Sequence, residues 1–259
     1  MRQERRYPKI PQFMTTGTYR LRTATKVTSS SILGDIHRTQ DAVGSSWGID
    51  LSEYGLPEKR YLMTAAHCIM AHDPKSSGRI ADTIEIQIRM ERPDEKGKML
   101  PFKKWIKCKA LIVDVDVDQA LLMAEEEIPV IFKLGDRCDV GSPVIAVGCP
   151  IGTTPAAKMG TLVSVDPEVC TPVKCQIWQA DVPFYFGNSG GPLFDAESEV
   201  VIGSLVAGLG AKEGQLVPNL ALVIPCIEIR KMLDYNLRIP EPEEAKAEIV
   251  PLVPLVPLV

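Results

Sequence analysis

The sequence predicts an all-β protein with one short helix near its C-terminal end. Three observations carry that expectation: short apolar runs with a period of two, glycine and proline dividing them at close intervals, and a single stretch with helical spacing. Of the 259 residues, 45% are hydrophobic and 24% charged. That is the composition of an ordinary folded chain, long enough to bury a sizeable core.

Residues 1–25 are polar, basic and irregular, and read as an N-terminal extension carrying Tyr7, Phe13 and Tyr19. A first unit, 26–128, shows strand signals. In ADTIEIQIRM, Ile84, Ile86, Ile88 and Met90 alternate with Glu85, Gln87 and Arg89, the pattern of a half-buried strand. RYLMTAAHC reads as a strand running into a turn. ALIVDVDVDQALLM repeats the alternation, with acidic residues on one face. A second unit, 129–238, contains SPVIAVG, GTLVSV, QIWQADV, VVIGSLVAGL and LALVIP. Many short strands between turns fit a sandwich or barrel, not βαβ units. CIEIRKMLDY then sets Cys226, Ile229 and Leu233 at helical spacing. Residues 239–259 are acidic and end in three Pro-Leu-Val repeats, an extended tail that proline keeps from being a regular helix.

Charge and composition narrow the function. A formal net charge of -4 offers no electrostatic footprint for nucleic acid. The basic start, MRQERRYPKIPQF, leads into no apolar leader, and no run reaches the length of a membrane span. A cytoplasmic or otherwise intracellular location is therefore expected. Seven cysteines, an odd number at irregular spacing, read as buried reduced thiols, although Cys170 and Cys175 in CTPVKC are placed to bridge a hairpin. No paired CxxC occurs and the three histidines are scattered, so neither a metal nor a cofactor is expected. DVDVD followed by Glu125 imitates part of a calcium loop but lacks its glycine.

The chemistry gathers around FGNSGGPL, residues 186–193. Glycine two places before Ser189 and immediately after it weakens any helix or strand, and permits a sharp turn and a close approach by another molecule. A serine hydroxyl attacks a carbonyl when a base takes its proton, and the resulting oxyanion needs backbone N–H donors. Gly187 and Ser189 would supply those donors. His67, beside small Ala65 and Ala66, is the candidate base, whereas His37 and His72 sit among polar residues and read as surface. The base needs a carboxylate to orient it. Asp114, Asp116 and Asp118 are candidates, and Asp118 is preferred because the apolar ALL run begins just beyond it.

TAAHC, DQALL and GNSGGPL, in the order His, Asp, Ser, resemble the chymotrypsin-like serine proteases. QADVPFYFGNSGGPLF, VIAVGCPIG followed by GTLVSV, and ALVIP before the helix are similar to the HtrA branch. The resemblance covers about residues 40–235. It implies two perpendicular six-stranded β-barrels, a triad of His67, Asp118 and Ser189 in the cleft between them, and an oxyanion hole from Gly187 and Ser189. The implied activity is a serine endopeptidase acting on protein or peptide substrates, without a PDZ domain. The alternative is a protease-fold binding or scaffold protein that uses the cleft or the tail.

Some positions depart from the family's pattern. The cysteine that usually lies a strand before TAAHC and bridges to it is missing, with serine at position 52. Gln119 replaces an aliphatic residue. Asn188 stands where zymogen-activated relatives carry an aspartate, so activity without N-terminal cleavage is expected. The implied substrate pocket comprises Pro183, Phe184, Val206, Ala207, Gly208 and Leu220, without a carboxylate, and would take Val, Ala or Leu. The resemblance also implies a homo-trimer built through Tyr7, Phe13 and Tyr19. The tail is expected to dock in the chain's own cleft or on a partner.

Overall fold

The computed structural model describes residues 10–31, 34–71, 78–95, 98–136, 138–166, 173–210 and 216–238. In the first half, β1 (Thr18–Ser31), β2 (Gly34–Gly48), β3 (Tyr61–Thr64), β4 (Thr83–Pro93), β5 (Met99–Asp114) and β6 (Gln119–Ala124) close into a barrel in the order β1-β2-β3-β6-β5-β4. The second half adds β7 (Pro143–Gly148), β8 (Ala156–Ser164), β9 (Trp178–Asp181), β10 (Pro192–Asp195), β11 (Val201–Gly210) and β12 (Leu216–Pro225). They close in the order β10-β11-β12-β9-β8-β7. Read backwards and renumbered, the second order is the first, so both halves wrap the same way. Closure pairs β1 with β4 and β10 with β7, leaving neither sheet an open edge. A short α1 (Gln12–Thr16) precedes the barrels and α2 (Cys226–Leu237) follows them.

Period-two patterning explains the strands. In β1, Tyr19, Leu21, Thr23 and Thr25 are buried, while Arg22 and Lys26 are exposed. This strand begins at Thr18, so residues 18–25, assigned above to the extension, belong to the first barrel. Its inward positions are largely threonine and tyrosine, which a scan for aliphatic alternation passes over. Tyr19 is 1% exposed and its hydroxyl donates to the Val130 carbonyl at 2.9 Å, so it is a core residue and not a subunit contact.

The acidic run also differs from expectation. Asp114 ends β5 and residues 115–118 form a turn, not a continued strand. Asp114 Oδ1 accepts the N–H groups of Asp116 and Val117, a local bond that competes with strand pairing. Val115 and Val117 therefore alternate with acid in sequence without lying on a strand.

One core fills the first barrel and continues through Phe132, Phe194, Val201 and Ile224 to the buried face of α2. Phe132 and Phe194 meet edge to face at 4.9 Å. A second core, around Val144, Leu162, Trp178 and Leu205, fills the second barrel. The connecting segment bonds to both barrels, with Phe132 N donating to Gly48 and Gly135 N to Val201. Helix α2 buries Cys226, Ile229, Met232 and Leu233, as its spacing predicts. Burial pushes the Cys108 and Cys149 thiols up to about 12, keeping them neutral packing groups. Tyr7, His72, Cys170, the side chain of His37 and the tail at 239–259 lie outside the described residues, with the expectations placed on them.

Candidate active site

His67 enters the cleft from the end of β3. Ala65 and Ala66 are buried, and without longer side chains they let the single 3-10 turn Ala66–Cys68 lie against Asp118. Three hydrogen bonds result. Ala66 N donates to the Asp118 carbonyl at 3.1 Å and His67 N to Oδ1 at 2.9 Å, while the His67 ring places Nδ1 2.7 Å from Oδ2. A carboxylate only accepts, so Nδ1 carries a proton. Asp118 itself is held with φ +53, a left-handed conformation that aspartate tolerates better than most residues. Gln119, fully buried, donates Nε2 to the Asp118 carbonyl at 2.8 Å. The residue that departs from the family's pattern thus supports the carboxylate's backbone.

The His67 ring is 44% exposed on one side, and the packing on its other side favours the neutral form. The hydrogen bond to Asp118 and the neighbouring Cys68 sulfur outweigh that effect and push the ring's pKa up to about 11. A protonated ring cannot accept a bond from serine. Consistent with this, the Ser189 hydroxyl donates to the Val206 carbonyl at 3.1 Å.

Ser189 lies in a loop fixed from both barrels. Ile151 N donates to Phe186 O at 2.5 Å and Asn188 N to Tyr185 O at 3.0 Å. Because C=O and N–H point opposite ways across a trans peptide, the bond at Phe186 O turns the Gly187 N–H away from Ile151. Neither the Gly187 nor the Ser189 N–H donates to another group among the described residues. Ser45 of β2 supplies the other anchor. Its Oγ donates to Gly187 O at 2.6 Å and accepts from Cys149 N at 2.8 Å, and its N–H donates to Ser189 O at 2.8 Å.

The loop needs glycine at two of its positions. Gly187 has φ +90 and Gly190 φ +81, and a Cβ on Gly190 would lie 2.2 Å from Ser45 O and 2.4 Å from Thr64 Oγ1. Backbone cannot yield there without separating the barrels. Gly190→Ala is expected to cost about 3 kcal/mol or more, combining left-handed strain with the clash. A urea midpoint unchanged from wild type would contradict it.

His67 and Ser189 line one cavity of about 470 Å³, with Val43, Cys68, Phe184, Phe186, Val206, Ala207 and Gly208 among its walls. Four expected pocket residues, Phe184, Val206, Ala207 and Gly208, are therefore brought together. Two are not. Pro183 lines a small separate hollow with Tyr185 and Asn188, and Leu220 pairs with Asp181 in the barrel wall. An apolar cavity of about 490 Å³ shares His67, Val206 and Ala207 with the first and is also lined by Asp118, Met70, Val115, Val173, Ile177 and Leu222.

Sequence reasoning missed Ser45 and Val43, because only long-range pairing brings them here, and it gave no role to Phe186, which stands three residues before Ser189. It also misplaced the partner of Cys68. The position facing that sulfur is Gly44 of β2, whose Cβ would lie 2.7 Å from Sγ, whereas Ser52 opens a 3-10 turn elsewhere. Cys68 is unpaired.

Residues 48–203 match the trypsin-like peptidase domain family. The chain is 31% identical over 170 residues to a probable periplasmic serine endoprotease DegP-like of Pseudomonas fluorescens, a match covering 65% of this chain and 30% of that protein. A protein of the same name from Halomonas elongata is 28% identical over 152 residues, covering 58% and 28%. The chain thus spans less than a third of the length of these relatives. In structure it is similar to the HtrA-type protease AlgW with decapeptide, with TM-score 0.61 and 19% identity over 85% of this chain and 64% of that one. At that identity the likeness speaks for the fold. The intracellular location expected from the sequence is corrected here, since the relatives are named as periplasmic enzymes. An initial segment without an apolar leader was too little to assign a compartment. Because the matched stretch runs through both barrels and includes His67, Asp118 and Ser189, the chain belongs to the trypsin-like peptidase domain family.

Proposed function

We propose that the chain is a serine endopeptidase in which Ser189 attacks the scissile carbonyl, His67 takes and then returns the proton, and Asp118 holds the imidazole. The observation that carries this reading is the pair of unengaged N–H groups, Gly187 and Ser189, in the loop that bears the serine beside an Asp-bound histidine. Such donors stabilise charge that develops during attack, about 100-fold or more in rate for each. The hydroxyl leaves Val206 O and turns to Nε2 once that nitrogen has lost its proton. Release of the amine then takes the proton back from His67, and water repeats the sequence on the acyl-enzyme.

The cavity walls at Phe184, Val206, Ala207 and Gly208 bring no carboxylate to the acyl-side residue. They suit Val, Ala or Leu there, and not Lys or Arg. Fluorophosphonate labelling tests the reading. A single adduct on wild type, absent from Ser189→Ala and nearly lost in His67→Ala, is expected. Equal labelling of wild type and Ser189→Ala would refute it.

The pH profile carries a signed expectation. His67 is a base only when neutral, and its pKa lies above the ordinary 6.5. Activity should therefore be low on the acid side and rise along a limb displaced to alkaline pH. Removing the sulfur in Cys68→Ala should move that limb down, since the neighbouring sulfur is among the groups that raise the ring's pKa. A limb at or below 6.5 in wild type, or one that Cys68→Ala leaves in place, would contradict this account.

A further inference from the structure

Outside the catalytic cavity, the outer face of the first barrel concentrates cations in a chain whose formal net charge is -4. The strand register lays them out in rows. Arg22 stands opposite Glu85, which stands opposite Lys107; Arg20 stands opposite Gln87, which stands opposite Trp105; and Arg89 stands opposite Lys103. The Arg20 and Arg22 guanidinium carbons lie 5.4 and 4.0 Å from the Trp105 ring centroid. Guanidinium groups held on an aromatic face keep N–H edges available for an anion.

The charges are mostly unanswered. Arg22 pairs with Glu85 at 2.6 Å, but Arg20, Arg89, Lys103 and Lys107 have no carboxylate within ion-pair distance among the described residues. Arg20 Nε is buried without an acceptor. A hollow of about 330 Å³ opens here, lined by Arg20, Arg22 and Val43, with Asp41 and Glu85 at its acidic edge.

Position gives this surface its meaning. Val43 lines both the hollow and the cavity that holds Ser189, so the two are neighbours. In the register, Arg22 is opposite Val43 and Arg20 opposite Ser45, one strand spacing of about 4.8 Å farther out. On the function proposed above, the acyl side chain lies against Val206, Ala207 and Gly208. The leaving-group half is then taken to depart over the part of the cavity wall that Val43 forms. At about 3.4 Å per residue, its second to fifth residues cross the rows of cations.

We infer that this face is a recognition surface for acidic residues on the leaving-group side of the polypeptide substrate, with Arg20, Lys103 and Lys107 its principal contacts and Trp105 its floor. The inference rests on the peptidase reading for its direction. The overall negative charge opposes long-range attraction of large polyanions, which leaves short acidic segments at contact distance as the fitting partner.

The test uses the full chain with Ser189→Ala and fluorescent peptides with the same aliphatic acyl half. Their second to fifth leaving-group residues are all Glu or all Gln. About tenfold tighter binding of the Glu peptide is expected at low salt, the sum of several exposed charge pairs, falling towards equality in 0.5 M salt. Arg20→Gln and, separately, Lys103→Gln with Lys107→Gln should each reduce the ratio. The lysines are exposed, so the second variant keeps the test valid if Arg20→Gln folds poorly.

Equal binding of the two peptides would overturn the inference. So would tighter binding of a single-stranded oligonucleotide of matching charge, or a preference that emerges only after removal of residues 239–259, which would give the surface to the tail. Turnover by the chain with Ser189 intact separates the two claims. If it cuts neither peptide while Ser189→Ala keeps the tenfold preference, the acidic-peptide surface stands and the peptidase reading falls.

Discussion

Replacing Ser189 by alanine is expected to lower kcat/KM for an aliphatic peptide by about a millionfold, the scale seen when the nucleophile of such a unit is removed. The hydroxyl makes one hydrogen bond, to Val206 O, in an open cavity. Deleting it frees that carbonyl to water, so stability should change by about 1 kcal/mol or less. A loss of activity with an unchanged urea midpoint separates chemistry from folding. Some catalysis over water should survive, because the N–H groups of Gly187 and Ser189 belong to the backbone. More than about 1% of the wild-type rate in Ser189→Ala would mean another nucleophile and would end the triad reading.

Asp118→Asn should cost about 10,000-fold in kcat, through the position of one proton. The two carboxylate oxygens accept from different groups, His67 N at Oδ1 and the ring at Oδ2. An amide has one accepting oxygen. With that oxygen towards the backbone N–H, the NH₂ faces the ring and drives its proton to Nε2, where the serine's proton must go. With the amide reversed, two donors meet at the His67 backbone. The first orientation exchanges charge-assisted bonds for neutral ones and the second loses a bond, so about 1–2 kcal/mol of stability should go with the activity. Since the carboxylate raises the ring's pKa, whatever activity remains should show its limb at lower pH than wild type. Parallel measurement of kcat against pH and of the urea midpoint checks both parts. An Asp118→Asn protein within tenfold of wild type would show that this carboxylate does not orient the base.

His67 and Ser189 were legible because their local settings, two alanines and a cluster of glycines, are written in contiguous residues. Asp118 was legible for a reason that needs revision: apolar residues do begin after it, but a left-handed turn, not strand alternation, presents its carboxylate. Gln119 looked like a defect, yet its amide holds the Asp118 carbonyl. The rows from Arg20 to Trp105 depend on the register of three strands, which alternation alone does not specify. Ser45 was invisible for a related reason. Its partners lie more than a hundred residues away, and a serine between a glycine and another serine carries no local sign of them.

Ser45 also sets how this molecule stops working. The loop carrying Ser189 belongs to the second barrel, but two of its restraints, at Gly187 O and Ser189 O, run through one residue of the first, which also holds Cys149 N of the neighbouring loop. Neither half holds a usable site alone, because separating the halves would release Gly187 and also open the core that Phe132, Phe194, Val201 and Ile224 share with the first barrel. The proposed catalysis and the join between the barrels are therefore expected to be lost together on warming, one event read by two probes.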